Sequence, residues 1–137
     1  MNSISQIPQV TISSAGRNPV YIEYPKLESI ALSRLIIQAV ASAFGISEQE
    51  LRASTRREAA VSFARQVAMY LAHVACGYSL TEVGLLFNRD RTTAAYACRK
   101  IEDSRDDPDL DFCLDCLESA VRGWAVQQKA TEISNDH

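Results

Sequence analysis

The stretch Ser79-Leu-Thr-Glu-Val-Gly-Leu-Leu-Phe-Asn-Arg-Asp-Arg-Thr-Thr-Ala-Ala-Tyr-Ala-Cys-Arg-Lys-Ile-Glu102 reads as two capped helices joined by a tight polar turn. Ser79 and Glu82 have capping-box spacing, in which hydroxyl and carboxylate each accept from an N–H that a helix start leaves unpaired. A helix therefore begins near Leu80. Leu80, Val83, Leu86 and Phe87 recur on one face, and the turn formers Asn88-Arg89-Asp90 then interrupt the pattern. Asp90 is placed to cap the helix that follows, over about Arg91 to Ser104. Its Ala94, Ala97, Cys98 and Ile101 fall at i, i+3, i+4 and i+7, the spacing of one buried stripe. Thr92, Thr93, Tyr96, Arg99 and Lys100 are left facing outward, with Arg91 in the first turn. This is the pattern of a helix-turn-helix, a motif whose second helix sets its first residues against base edges in the major groove.

Outward from this stretch the chain is helical. Residues 57 to 75 form the longest apolar helix, with Val61, Ala64, Val67, Ala68, Leu71, Ala72 and Ala75 on its buried side and Gly77 beyond its end. From Leu27 to Phe44 the residues Ile30, Leu32, Leu35, Ile36, Ala39, Val40 and Ala43 mark a first helix closed by Gly45. Ser47 and Glu50 make a second capping box for a short helix through about Arg52. Pro108 and its flanking aspartates break the chain. Leu110, Cys113, Leu114, Leu117, Ala120, Val121 and Trp124 then define an amphipathic helix over 109–126. Residues 1–26 are polar, aperiodic and without an apolar run long enough for a signal peptide or membrane span, so a flexible arm is expected. Val10-Thr-Ile12 and Val20-Tyr-Ile-Glu-Tyr24 have strand-like composition within it. A disordered tail is expected over 127–137. The expected fold is all-α, a compact domain of about five to six helices over 27–126.

Residues from about Ile36 to Asp107 resemble the C-terminal DNA-binding domain of the bacterial chromosomal replication initiator DnaA. The resemblance rests on Ala64-Arg-Gln-Val-Ala-Met-Tyr-Leu71, on Ser79-Leu-Thr-Glu-Val-Gly84, and on Arg89-Asp-Arg-Thr-Thr93 followed by Ala97-Cys-Arg-Lys-Ile-Glu102. It implies a helix-turn-helix of Trp-repressor-like type that binds a short asymmetric double-stranded element as a monomer. The family's turn usually reads Gly-Gly-Arg-Asp-His-Thr-Thr. Here one glycine is missing before Asn88, and Arg91 replaces the histidine, keeping a donor pair suited to guanine. The resemblance further implies that Asp90, Thr92 and Thr93 meet bases or phosphates and that Arg65 reaches into the adjacent minor groove. It places Leu80 and Thr81 against the backbone, Thr81 standing where the family uses proline. His73 stands at a position often basic. Arg56, Arg57, Arg89, Arg99 and Lys100 complete the expected DNA-binding set.

The net charge of −3 is unlike the usual basic footprint of a nucleic-acid binder, but the charge is segregated. Residues 52–105 hold nine basic and five acidic side chains, a balance of +4, whereas residues 106–137 hold two and eight, a balance of −6. The acidic segment is expected to repel phosphate and limit non-specific binding. Cys113 and Cys116, with His73 and Cys76, have spacings that can be written as a zinc site. The expectation is instead no metal and no cofactor, since Cys98 and Cys113 lie on apolar stripes, where cysteine behaves as a small hydrophobe. No Gly-x-x-x-x-Gly-Lys-Ser/Thr loop occurs, so no nucleotide is expected as ligand, and no nucleophile-and-base motif suggests an enzyme. The sequence thus points to a cytoplasmic, nucleoid-associated bacterial protein that binds double-stranded DNA in transcriptional regulation or at initiator-type boxes, with no membrane partner. The alternative is an interaction module without DNA binding, docking itself or another protein through the Leu117, Val121, Trp124 stripe of the 109–126 helix.

Overall fold

Six helices follow one another along the described residues: α1 (Leu27–Phe44), α2 (Glu48–Arg52), α3 (Ala59–Val74), α4 (Leu80–Phe87), α5 (Arg91–Ser104) and α6 (Pro108–Asn135). The structure is a computed structural model describing residues 25–53 and 58–135, with side chains described up to residue 130. The expected N-terminal arm lies, up to residue 24, outside the described residues. So do Arg56 and Arg57.

The order of the helices follows from which of them buries the most. In α3 the residues Val61, Ala64, Val67, Ala68, Met69, Tyr70, Leu71 and Ala72 are all buried, leaving only the narrow polar stripe of Ser62, Arg65, Gln66 and His73, and a helix apolar over so much of its surface sits at the centre of a domain. It touches all five other helices. Its alanines allow close approach, and the fully buried Ile36 and Val40 of α1, Val83 of α4, Ile101 of α5 and Leu114 and Val121 of α6 join its side chains in one core. By length and composition alone α1 could cross a bilayer, with a mean hydropathy of 1.4. In the fold its Leu32, Ile36, Ile37, Val40 and Ala41 are instead spent on the core.

Local chemistry ends the helices where the sequence indicates. Gly45, at φ 66°, closes α1 in the left-handed conformation, its N–H donating to the Ala41 carbonyl. Both capping boxes form, at Ser47/Glu50 and at Ser79/Glu82. Asp107 accepts from the N–H groups of Asp109 and Leu110 at 2.9 and 3.3 Å, and Pro108 opens α6 at a position where its missing N–H costs nothing. One boundary is corrected. Helical backbone does not stop at 126 but runs to Asn135, as no Gly or Pro breaks it, and Gln128 donates to the Glu28 carbonyl of α1 at 2.9 Å. The tail expected over 127–137 is thus helical through most of its length.

Arg105, counted above with the basic module, is drawn into an acidic clamp. Its Nε donates to Asp111 at 2.7 Å and its Nη1 to Glu118 at 2.6 Å, while Nη2 pairs with Asp115. Nη1 also donates to the Tyr70 hydroxyl at 3.1 Å, and that hydroxyl donates to Glu102 at 2.9 Å. Burial works against the Arg105 charge, but hydrogen bonds to Glu118 and Asp111 and the nearby acids outweigh it and hold the guanidinium above its ordinary pKa. The acids of α6 at 111, 115 and 118 therefore fasten this helix to the ends of α3 and α5.

Burial, and then the bond to Glu102, push Tyr70 from near 10 up to about 12. The unfolded chain releases that proton from pH 10, while the folded chain keeps it until about 12. Stability from the neutral tyrosine is thus complete below pH 10 and falls as pH rises through that window. Thermal unfolding of Tyr70→Phe against the parent should show a shallower alkaline decline. Identical slopes from pH 10 to 12 would remove Tyr70 as its source.

Candidate nucleic-acid interface

The turn between α4 and α5 is held by four local devices. Asn88 takes the left-handed conformation (φ 55°, ψ 49°), which asparagine tolerates better than most residues. Its N–H and that of Arg89 both donate to the Gly84 carbonyl, the latter at 2.8 Å. Gly84 itself is buried, and a Cβ there would lie 2.6 Å from the Arg89 carbonyl oxygen. Asp90 then caps α5, accepting from the Thr93 N–H at 2.7 Å. That bond, the Thr93 hydroxyl and the Thr92 N–H hold the carboxyl below its ordinary pKa despite a small opposing contribution from burial.

From this turn α5 stands with Ala94, Ala97 and Ile101 wholly buried and Arg91, Thr92, Thr93, Tyr96, Arg99 and Lys100 exposed. The two faces divide as the sequence indicates. Thr81 is exposed in the first turn of α4, while Leu80 is half-buried against the core. An open hollow of about 600 Å³ lies between α3 and α5, where Arg65, Gln66, Arg89, Thr92, Thr93, Tyr96 and Lys100 converge. Tyr96, 53% exposed, belongs to this surface although the DNA-binding set omits it. Its spacing four residues after Thr92 is the signal that places it there.

Two arginines of the expected set have other uses. Arg65 is only 7% exposed, its Nε donating to the Leu51 carbonyl at 3.0 Å and its Nη2 to that of Glu50 at 3.1 Å. Arg65, expected to reach into a minor groove, here donates to the end of α2 while also lining the hollow between α3 and α5. Arg89 is half-buried, with Nη1 donating to Phe87 at 3.3 Å and Asn88 at 3.0 Å, and Nη2 to Ala53 at 3.3 Å. His73 points its Nδ1, as the donor, at the Tyr78 carbonyl 2.7 Å away. Among the described residues no three of His, Cys, Asp and Glu gather into a metal site. Burial pushes the thiols of Cys76 and Cys98 up to about 11, so neither is a thiolate at neutral pH.

A capped first helix, a braced turn and a second helix with a polar, cationic outer face define a helix-turn-helix domain built to present α5. Comparison with known proteins narrows the class. The model of the family described as bacterial dnaA protein helix-turn-helix matches residues 33–101, and the chain belongs to that family. It is 35% identical over 137 residues to the chromosomal replication initiator protein DnaA of Crocosphaera subtropica, covering 98% of this chain and 27% of that one. With DnaA of Bordetella pertussis it shares 46% identity over 72 residues, 51% of this chain and 15% of that one. The chain thus spans about a quarter or less of the length of these relatives. Among solved structures it is similar to a DNA replication initiation factor (TM-score 0.63, 25% identity, 72% of this chain and 30% of that one). It is also similar to replication initiator DnaA bound to AMPPCP and single-stranded DNA (TM-score 0.62, 25% identity, 70% and 29%).

Proposed function

We propose that the protein binds double-stranded DNA in a sequence-specific manner by laying α5 in the major groove, as a regulator of transcription or of replication initiation in the bacterial cytoplasm. The observation that carries this is the outer face of α5, where Arg91, Thr92, Thr93 and Tyr96 are exposed directly after a turn rigid enough to aim them. In such a complex Arg91 offers a bidentate pair of donors to guanine, the threonines meet base edges or phosphates, and Arg99 and Lys100 contribute charge toward the backbone. The role is binding, not catalysis. The interaction-module alternative has less support from the Leu117, Val121, Trp124 stripe, since Val121 is wholly buried and Leu117 and Trp124 pack on the core.

Selection from random duplex pools tests the proposal, with a single-stranded competitor because one structural relative is described with single-stranded DNA. An enriched duplex motif that single strands fail to displace is expected; no enrichment at low salt would overturn it. Arg91→Ala should cost on the order of 1–3 kcal/mol at the selected element and relax preference at one base pair. The same motif at the same strength with that variant would remove Arg91 as a base contact.

A further inference from the structure

Two guanidinium groups converge on the carbonyl ends of two helices. At the end of α2 the Glu50 carbonyl has only a long shared bond from the Ala53 N–H, at 3.4 Å, where a helix end leaves carbonyls short of donors. Arg65 donates to Glu50 and Leu51, and Arg89 donates to Ala53. Arg89 also takes Phe87 and Asn88 at the end of α4. Cations at helix C-termini complement the partial negative charge gathered there, and the planar fork of arginine reaches several acceptors at once. Arg89 immediately precedes Asp90, the cap of α5, so a contact that holds its carbonyl neighbours also holds the start of that helix.

We infer that Arg89, supported by Arg65, is a positioning residue: it ties the ends of α2 and α4 together and thereby sets the angle and register of α5, while contributing no ion pair to DNA. The inference rests on the DNA-binding reading above. It makes α2, five residues long, the buttress of the turn. It also separates Arg89, whose donors go to helix-end carbonyls, from Arg91, Arg99 and Lys100, which face outward.

Lysine keeps the charge but not the fork, so Arg89→Lys separates the two roles. Affinity for the selected duplex is measured across a salt series for the parent, Arg89→Lys, Arg89→Ala and Lys100→Ala. Both Arg89 variants are expected to lose about tenfold in affinity, the value of a charge-assisted hydrogen bond or two, with a broader selected motif and an unchanged salt slope. Lys100→Ala should lower that slope by about one and so prove that the assay detects a phosphate contact. Arg89→Lys at parental affinity, or Arg89→Ala with a slope lowered by one, overturns the inference. Amide hydrogen exchange keeps this separate from the DNA reading. If the parent selects no duplex, that reading fails alone. Faster exchange confined to residues 88–93 in both Arg89 variants then supports the positioning role, and unchanged exchange there overturns it.

Discussion

Gly84→Ala is expected to displace the turn and lower affinity for the selected duplex by more than tenfold while leaving the rest of the core intact. The added methyl would meet the Arg89 carbonyl oxygen at 2.6 Å and the Asp90 carbonyl carbon at 3.3 Å. Both are backbone atoms, so no flexible side chain can swing aside. Relieving such overpacking costs about 1–3 kcal/mol, and the alanine's helix preference returns only about 1 kcal/mol. The larger effect falls on recognition, because the atoms forced to move are those that begin α5. Gly123 in α6 is the control: a Cβ there meets nothing within 4 Å, and Gly123→Ala should leave stability unchanged or slightly raised. Thermal unfolding and fluorescence anisotropy read both quantities. Gly84→Ala with parental stability and affinity would show that the turn is not tightly packed.

Arg105→Ala is expected to destabilise the fold by about 2–3 kcal/mol, the range for leaving one largely buried charged partner, here Glu118, short of its main cation. Glu118, only 8% exposed, would keep a single cation, Arg122 at 3.2 Å. The guanidinium also lies 5.9 Å from the centre of the Tyr70 ring, a contact the alanine cannot make. By contrast Asp115, whose side chain is 63% exposed, should tolerate alanine at a cost of about 0.5 kcal/mol, as exposed pairs do. Denaturant unfolding of the two variants measures the difference. If both lose the same small amount, the clamp is a surface ion pair and not a fastening. The acidic C-terminal segment therefore has a structural use beside any repulsion of phosphate: three of its eight acids are engaged with Arg105.

The legible parts of the sequence are those whose physics is local. Ser79 and Glu82, Ser47 and Glu50, and Asp90 with Thr93 are partners three residues apart, so composition and spacing alone locate the helix starts. The stripe Ala94, Ala97, Ile101 and the exposed Thr92, Thr93 and Tyr96 are likewise separated by one helical period. The long-range partners were not legible. Arg65 finds its carbonyls 14 and 15 residues away and Arg89 finds Ala53 36 residues away, and nothing in the spacing of a cation shows whether it faces solvent or another helix's end. The same holds for Leu117, Val121 and Trp124, a stripe equally suited to a partner or to the chain's own core.

By itself the sequence determined the all-helical class, the two capped helices, the turn and which residues of α5 face outward, because caps and periodicity act within one or two turns of backbone. Only the tertiary structure decided which carbonyls and carboxylates the arginines reach. A guanidinium goes wherever unpaired carbonyls or carboxylates lie, and the ends of α2 and α4 and the acidic face of α6 come within reach only once the helices pack around α3.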